Sequence, residues 1–512
     1  MHRLVIALTS LLALAGAAIV GISLFLAGAG ADQAARLAPA DTALYVNVLL
    51  QPASGQRAEL TELTSRLPGF ADAASFDTKV DQIAQNLLSQ ASIDYSEQIE
   101  PWLGDQVGLA LGAEGLVAGE PSGVVLVTVR DEEAAATALA DLVPDAESRT
   151  YEGVELHVAP DASWALVGGF LATGATAEEV EAVVDVAAGT SPALADDAEF
   201  RAAIDRLPPD RVGTFYADLV ALTGGAVTEA GFSVAAGALV VDGRGLRFEG
   251  SAAFDAEAAD EEARAAFALA GEPSSLVDWM PADTQAELVF FGLRQALEGA
   301  EAAAADAPEG EVLTEALGTV RTLAAFGLGI DLDADVLPLF DREVAVAVSG
   351  LDNGTPHGQL LLRPSDPDAA TEMLERITEG VEGAGASVVV TEGERATVTV
   401  ISMTGFGQAA YALVDGIVIV GLETADVEAA IEAHDSGDSL AATEAYQRTF
   451  ELAGDRAGNE MWVDIAAIVD ATGMAETRPT DVRDILNQIG AFGLTAPARD
   501  DAFHLRAVLT VE

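Results

Sequence analysis

The chain repeats itself after about 245 residues, and this constrains its fold more than any local pattern does. Ala38-Pro39-Ala40-Asp41-Thr42 recurs as Met280-Pro281-Ala282-Asp283-Thr284. Ala165-Leu166-Val167-Gly168-Gly169 recurs as Ala412-Leu413-Val414-Asp415-Gly416, and Phe215-Tyr216-Ala217-Asp218 as Met461-Trp462-Val463-Asp464. The matched positions are hydrophobic and turn residues, not reactive side chains. They speak for construction rather than chemistry.

Each copy reads as strand, helices, several antiparallel strands, helix, strand. Thr42–Val48 alternates like a strand, and strands are expected at Val107–Leu111, at Val124–Val129 and around Val154–Val158. Helical spacing runs through 56–91, broken at Pro68-Gly69, and through 131–142. Gly168-Gly169 and Asp415-Gly416 each separate two apolar runs and predict two-residue hairpins, because both dipeptides tolerate positive φ. Ala177–Ala187 follows as a helix with Val180, Val183 and Val184 on one stripe, and Thr176 and Glu179 have capping-box spacing at its start. In the second copy Val427, Ala430 and Ile431 keep that stripe. The expected fold class is α+β: two tandem repeated units, each an antiparallel sheet with helices packed on one face. The expected boundaries are 1–32 for a signal-anchor or transmembrane segment, 33–255 for the first unit, 256–273 for a charged connector and 274–512 for the second.

The N-terminal boundary rests on an uncharged run from Leu4 to Ala31, longer than the about 20 apolar residues of a spanning helix. Small residues at Ala27-Gly28-Ala29 leave open cleavage as a secretory signal. Arg3 before the run and Asp32 after it orient the bulk outward. Either way the expectation is an extracytoplasmic body, membrane-anchored or secreted.

Eighty-three acidic residues against twenty-five basic ones set a formal charge of −58. Such a surface repels nucleic acid and anionic headgroups, and favours cations or basic partners. Lys79 is the single lysine, so Schiff-base chemistry and a P-loop are excluded. Without cysteine there are no disulfides, thiolate metal sites or thiol nucleophiles.

A set of motifs carries a family resemblance: Leu37-Ala38-Pro39-Ala40-Asp41-Thr42 behind the apolar segment, Leu67-Pro68-Gly69-Phe70, Ile93-Asp94-Tyr95, Pro101-Trp102-Leu103-Gly104-Asp105 and Val107-Gly108-Leu109-Ala110. The chain thereby resembles the bacterial family known as domain of unknown function 3352. The second copy departs from it, with Pro338-Leu339-Phe340-Asp341-Arg342 in place of Pro101–Asp105. The resemblance implies an envelope-facing, membrane-associated protein and brings no catalytic residues.

No catalytic, cofactor or metal residue is assigned. His157 reads as a strand residue, while His357 and His434 read as members of polar loops; no two histidines have the i, i+4 spacing of a zinc helix. Gly405-Phe406-Gly407-Gln408-Ala409-Ala410 approximates a dinucleotide fingerprint, but a hairpin is expected where the fingerprint needs a helix. Asp331-Leu332-Asp333-Ala334-Asp335 has calcium-loop spacing, but Val336 and Arg342 stand where Gly and Glu are needed, so a turn or cap role is favoured. The matched aromatics Trp164 with Tyr411, Phe200 with Tyr446 and Tyr216 with Trp462 read as core anchors. Trp102 has no counterpart and is expected at a surface or interface.

These readings point to a membrane-anchored, non-catalytic binding or scaffold protein of the envelope, whose partners are basic envelope proteins or cations. Two alternatives stay open: a carrier of an apolar ligand in a cleft between the units, and an exported hydrolase using dispersed carboxylates.

Overall fold

The computed structural model describes residues 32–512 apart from 51–53, 67–84, 86–92, 119–121, 161, 229, 260, 307–310, 353–354, 394, 406, 455, 473–482 and 484–485. It is a mixed α/β protein whose strand ladders are antiparallel. Two compact units emerge. One draws on Met1–Asp260, Pro479–Gln488 and Asp501–Glu512, and the other on Glu261–Arg478 and Ile489–Asp500.

The first unit contains β1 (Thr42–Leu49), β2 (Leu103–Gly112), β3 (Gly123–Val129), β4 (Glu147–Tyr151), β5 (Val154–Ala159), β6 (Ala162–Val167), β7 (Phe170–Gly174), β8 (Gly213–Asp218), β9 (Phe232–Asp242) and β10 (Gly245–Phe254). They hydrogen-bond in the order β4-β5-β6-β7-β3-β2-β1-β8-β9-β10. The C-terminal strand Ala502–Val511 pairs with β10 from Gly245↔Thr510 to Ala253↔Ala502. The expected unit 274–512 is therefore interrupted, because its last strand joins the first unit. Alternation marks Leu505–Val511 as a strand but is silent on its neighbour, which long-range pairing selects. The expected connector 256–273 likewise contains a helix, Glu261–Leu269.

The hairpin between β6 and β7 turns on Gly168 and Gly169, at φ 61° and 80°. Two positive φ values match the twist of the flanking strands, and glycine adopts them without a Cβ clash. Helix Ala177–Ala188 starts with the expected capping box at Thr176 and Glu179 and ends at Gly189 in the left-handed region. Val180, Val183 and Val184 of its stripe are buried, the first two in one cluster with Tyr45, Leu126, Leu156, Phe200 and Tyr216. The opposite face of β3, through Val125 and Val127, packs with Trp102, Trp164 and Leu139 of helix Glu132–Leu142. Helices thus cover both faces here, not one as expected. Consecutive apolar residues in β3 are what a strand buried on both sides requires.

The second unit contains β11 (Ala286–Phe291), β12 (Glu343–Asp352), β13 (Thr355–Arg363), β14 (Ser387–Glu392), β15 (Thr397–Met403), β16 (Gly407–Val414), β17 (Ile417–Gly421), β18 (Asn459–Asp464) and β19 (Ile489–Ala496). Their order is β14-β15-β16-β17-β13-β12-β11-β18-β19. Asp415 and Gly416 form the β16–β17 turn at φ 50° and 79°. Helix Thr424–Ser436 follows, with Val427, Ala430 and Ile431 buried. Gly421 allows the start of this helix to close on β17: a Cβ there would sit 2.5 Å from the Asp426 Cβ.

Among the described residues no helix is long and apolar enough to cross a membrane. The Leu4–Ala31 run, on which the expected span rests, lies outside the described residues, as does Lys79.

Candidate functional site

The strongest concentration of unusual electrostatics lies on one face of β11, β12 and β18. Strand alternation puts Glu287, Val289 and Phe291 on the same side. The register sets Val289 opposite Glu460 and Phe291 opposite Glu343, so three glutamates share that face. Glu287, Glu343 and Glu460 are all buried, at 1–2% exposure. Removing a carboxylate from water costs several kcal/mol unless it is paired or protonated.

The three solve this differently. Glu343 accepts from Ser274 Oγ at 2.7 Å, Ser275 N at 3.0 Å, Ser275 Oγ at 3.1 Å and Leu276 N at 3.3 Å, with Arg363 Nη1 at 3.5 Å. It ties the segment before β11 to the sheet. Glu460 accepts from Arg456 Nε and Nη2, both at 3.1 Å, and from the Tyr446 hydroxyl. Arg456 is held in turn over the Tyr446 and Phe450 rings, 4.7 and 5.2 Å from their centroids. Burial lowers the Arg456 pKa, against the pull of Glu287.

Glu287 receives no hydrogen bond from a donor among the described residues. Burial pushes its carboxyl up to about 8. Burial and the facing Glu287 carboxylate push Glu460 upward as well. Two close carboxylates in a dry site do not both ionise, and titrate as a pair. Arg456 and the Tyr446 hydroxyl favour the Glu460 anion, but burial outweighs them, and both carboxyls are held above the usual carboxylate range.

The first unit builds its polar cluster from other residues. Asp32 Oδ1 accepts from the Tyr45 hydroxyl at 2.7 Å, Gln106 Nε2 at 3.0 Å and Ala35 N at 3.1 Å. Gln106 Nε2 also donates to Asn47 Oδ1 at 2.9 Å. Burial raises the Asp32 carboxyl, against the hydrogen bonds that hold it down, and raises the Tyr45 hydroxyl well above the usual tyrosine range. The cluster fastens the entry to β1 onto β2.

Neither cluster was legible as a site in the sequence. The available signal was Glu287 itself, an acid at the inward position of a strand whose first-copy match by alignment is Tyr45.

The residues singled out from sequence fall elsewhere. Trp102 is not at a surface: it is 2% exposed, and its Nε1 donates to Gln98 O at 2.6 Å. Helix Glu132–Leu142 covers it, and its position between Pro101 and Leu103 carried no sign of that cover. His357 lies on β13, and His434 lies in the last turn of helix Thr424–Ser436, so neither is in a loop. His434 stacks on Trp279 at 3.8 Å between centroids, and His157 on Trp164 at 5.1 Å. Asp331 caps the turn after it, accepting from Asp333 N and Ala334 N, while Asp335 pairs with Arg376 at 2.7 Å. Gly407 opens strand β16, not a helix. The core aromatics meet edge-on, Phe200 with Tyr216 at 5.0 Å and Tyr446 with Trp462 at 5.6 Å. Among the described residues no three His, Cys, Asp or Glu side chains are placed to hold a metal.

Among the described residues, the first unit includes two pockets of about 400 Å³. One is lined by Glu97, Trp102, Asp131 and Asp141; the other runs beneath helix Glu132–Leu142, between Leu139, Val143, His157, Trp164 and Leu166.

Fold and polar clusters together define a mixed α/β protein with antiparallel ladders and enclosed carboxylates. By sequence the chain belongs to the family described as Protein of unknown function (DUF3352), whose profile matches residues 4–509. No curated relative matches it. Among solved structures it is similar to TP0453 in crystal forms I and IV, at 9% and 8% identity. Those matches cover 44% and 43% of this chain and 81% and 79% of TP0453, both at a TM-score of 0.25, which transfers no property.

Proposed function

We propose that this is a membrane-tethered, extracytoplasmic binding or scaffold protein, built as two copies of one α+β topology and acting through its acidic surface. The tether is the Leu4–Ala31 run. Duplication is supported by strand order: β4-β5-β6-β7-β3-β2-β1-β8-β9 and β14-β15-β16-β17-β13-β12-β11-β18-β19 are the same path, residue 245 or so apart.

The observation that carries the non-catalytic reading is the enclosure of the carboxylates. A hydrolase needs an acid/base pair that substrate can reach. Glu287 and Glu460 have the raised pKa of such a pair, yet they are 2% and 1% exposed and line neither described pocket. Their partners are framework residues, so their work is to hold strands. What remains for solvent is carboxylate, and a net charge of −58 selects basic partners.

Crosslinking in intact cells, followed by identification of captured neighbours, is expected to return the same basic envelope protein or cell-wall component in replicate experiments. Capture of acidic neighbours alone would contradict the reading. The groove along Leu139, Val143, Trp164 and Leu166 favours a second reading, an apolar-ligand carrier. In that case an apolar molecule would accompany the gently purified protein.

A further inference from the structure

Strand β14 is an open edge. Among the described residues it pairs only with β15, from Ser387↔Ser402 to Glu392↔Thr397. Successive side chains of a strand point to opposite faces, and the neighbours Val389 and Val390 are 55% and 61% exposed. At these two positions the strand is therefore open on both faces, and its outer edge is unpaired among the described residues. The edge strand of the first unit is different: β4 carries Glu147 and Arg149, the latter paired with Glu181. Charges of that kind are how sheets block unwanted pairing. In β14 the matching stretch is Val388-Val389-Val390.

The surroundings select the occupant. Glu392 is exposed at the end of the strand, and helix Pro367–Gly383, which packs against β14, exposes Glu372, Glu375, Glu379 and Glu382. A second copy of this chain would meet those carboxylates with its own. An extended segment with apolar residues at alternate positions and Lys or Arg between them would satisfy ladder, valines and charge together.

We propose that the β14 edge binds an extended basic peptide segment of a partner protein by strand addition. This deepens the binding reading above and rests on it. The partner's backbone continues the ladder beyond β14, its apolar side chains cover Val389 and Val390, and its basic side chains face the glutamates.

The test uses the purified full chain and two labelled probes, an alternating Val/Lys peptide and the same peptide with N-methylated backbone amides. The second keeps charge and composition but cannot form the ladder. Fluorescence anisotropy at low salt is expected to show binding of the first probe and about tenfold weaker binding of the second. Val389→Thr/Val390→Thr, which keeps β-branching, size and charge, is expected to weaken the first probe about fivefold with the thermal transition unchanged. Equal binding of both probes, or binding indifferent to the double substitution, would overturn strand addition and leave the acidic-surface reading intact. Failure of both probes at low salt would overturn both. A concentration-dependent dimer that the double substitution abolishes would also overturn the proposal, since the occupant would then be a second copy.

Discussion

Replacing Glu287 with Gln is expected to stabilise the second unit at pH 8 by about 2–4 kcal/mol and to leave it nearly unchanged at pH 4. The sign follows from where the proton resides. An unfolded glutamate titrates near 4.5, whereas the buried Glu287 holds its proton to about 8. Below 4.5 both states are protonated and the contribution to stability is complete. As pH rises from 4.5 to 8 the unfolded chain releases a proton that the folded chain keeps, so folding stability falls. Above 8 the folded state releases it too and the slope ends. Glutamine keeps the shape and can donate to Glu460 without a proton to lose. Glu460→Ala should act in the opposite sense, costing about 1–3 kcal/mol, because it leaves the buried Tyr446 hydroxyl without its acceptor and the half-buried Arg456 without its ion-pair partner. Calorimetric unfolding of both variants and the parent across pH 4–9 reads this out. The comparison with the parent cancels the general repulsion among the other acids, and coincident profiles for parent and E287Q would refute the raised Glu287 carboxyl.

Asp32→Ala is expected to destabilise the first unit by about 2–3 kcal/mol. Tyr45 is wholly buried, and its hydroxyl has its acceptor in Asp32. Gln106 loses one of two acceptors but keeps Asn47. The dominant cost is therefore the orphaned hydroxyl, which predicts partial rescue by Tyr45→Phe in the Asp32→Ala background. Denaturant unfolding of the two single variants and the double variant forms the cycle, and additive effects would show that the Asp32–Tyr45 bond carries no stability.

The parts of the fold that could be read from the chain are those decided locally. Gly168-Gly169 and Asp415-Gly416 announce their turns because their φ values suit few other residues. Thr176 with Glu179 announces a helix start because both hydrogen bonds close within one turn. Strand β4, Glu147–Tyr151, has no apolar alternation and so carries no sequence signal, since an edge strand with both faces solvated needs none. The C-terminal strand was visible as a strand, but its partner β10 lies some 250 residues earlier, a distance over which hydropathy carries no register. The buried acids run against hydropathy patterning: Glu287 and Glu460 occupy inward positions that suit apolar residues, and Arg456 and Tyr446 account for Glu460 only once the strands are paired. Trp102 misled for the complementary reason. Its lack of a counterpart suggested exposure, whereas the helix that buries it comes about thirty residues later.

The central claim is that the acidic body works outside the cytoplasm as a binding surface held by its N-terminal segment. Its most direct test is protease treatment of intact cells, with the fate of residues beyond Asp32 followed by mass spectrometry. The account predicts peptides from the exposed glutamate-rich helix Pro367–Gly383 and from the β14 edge before lysis. Complete protection in intact cells, lost only when the cells are broken, would contradict it.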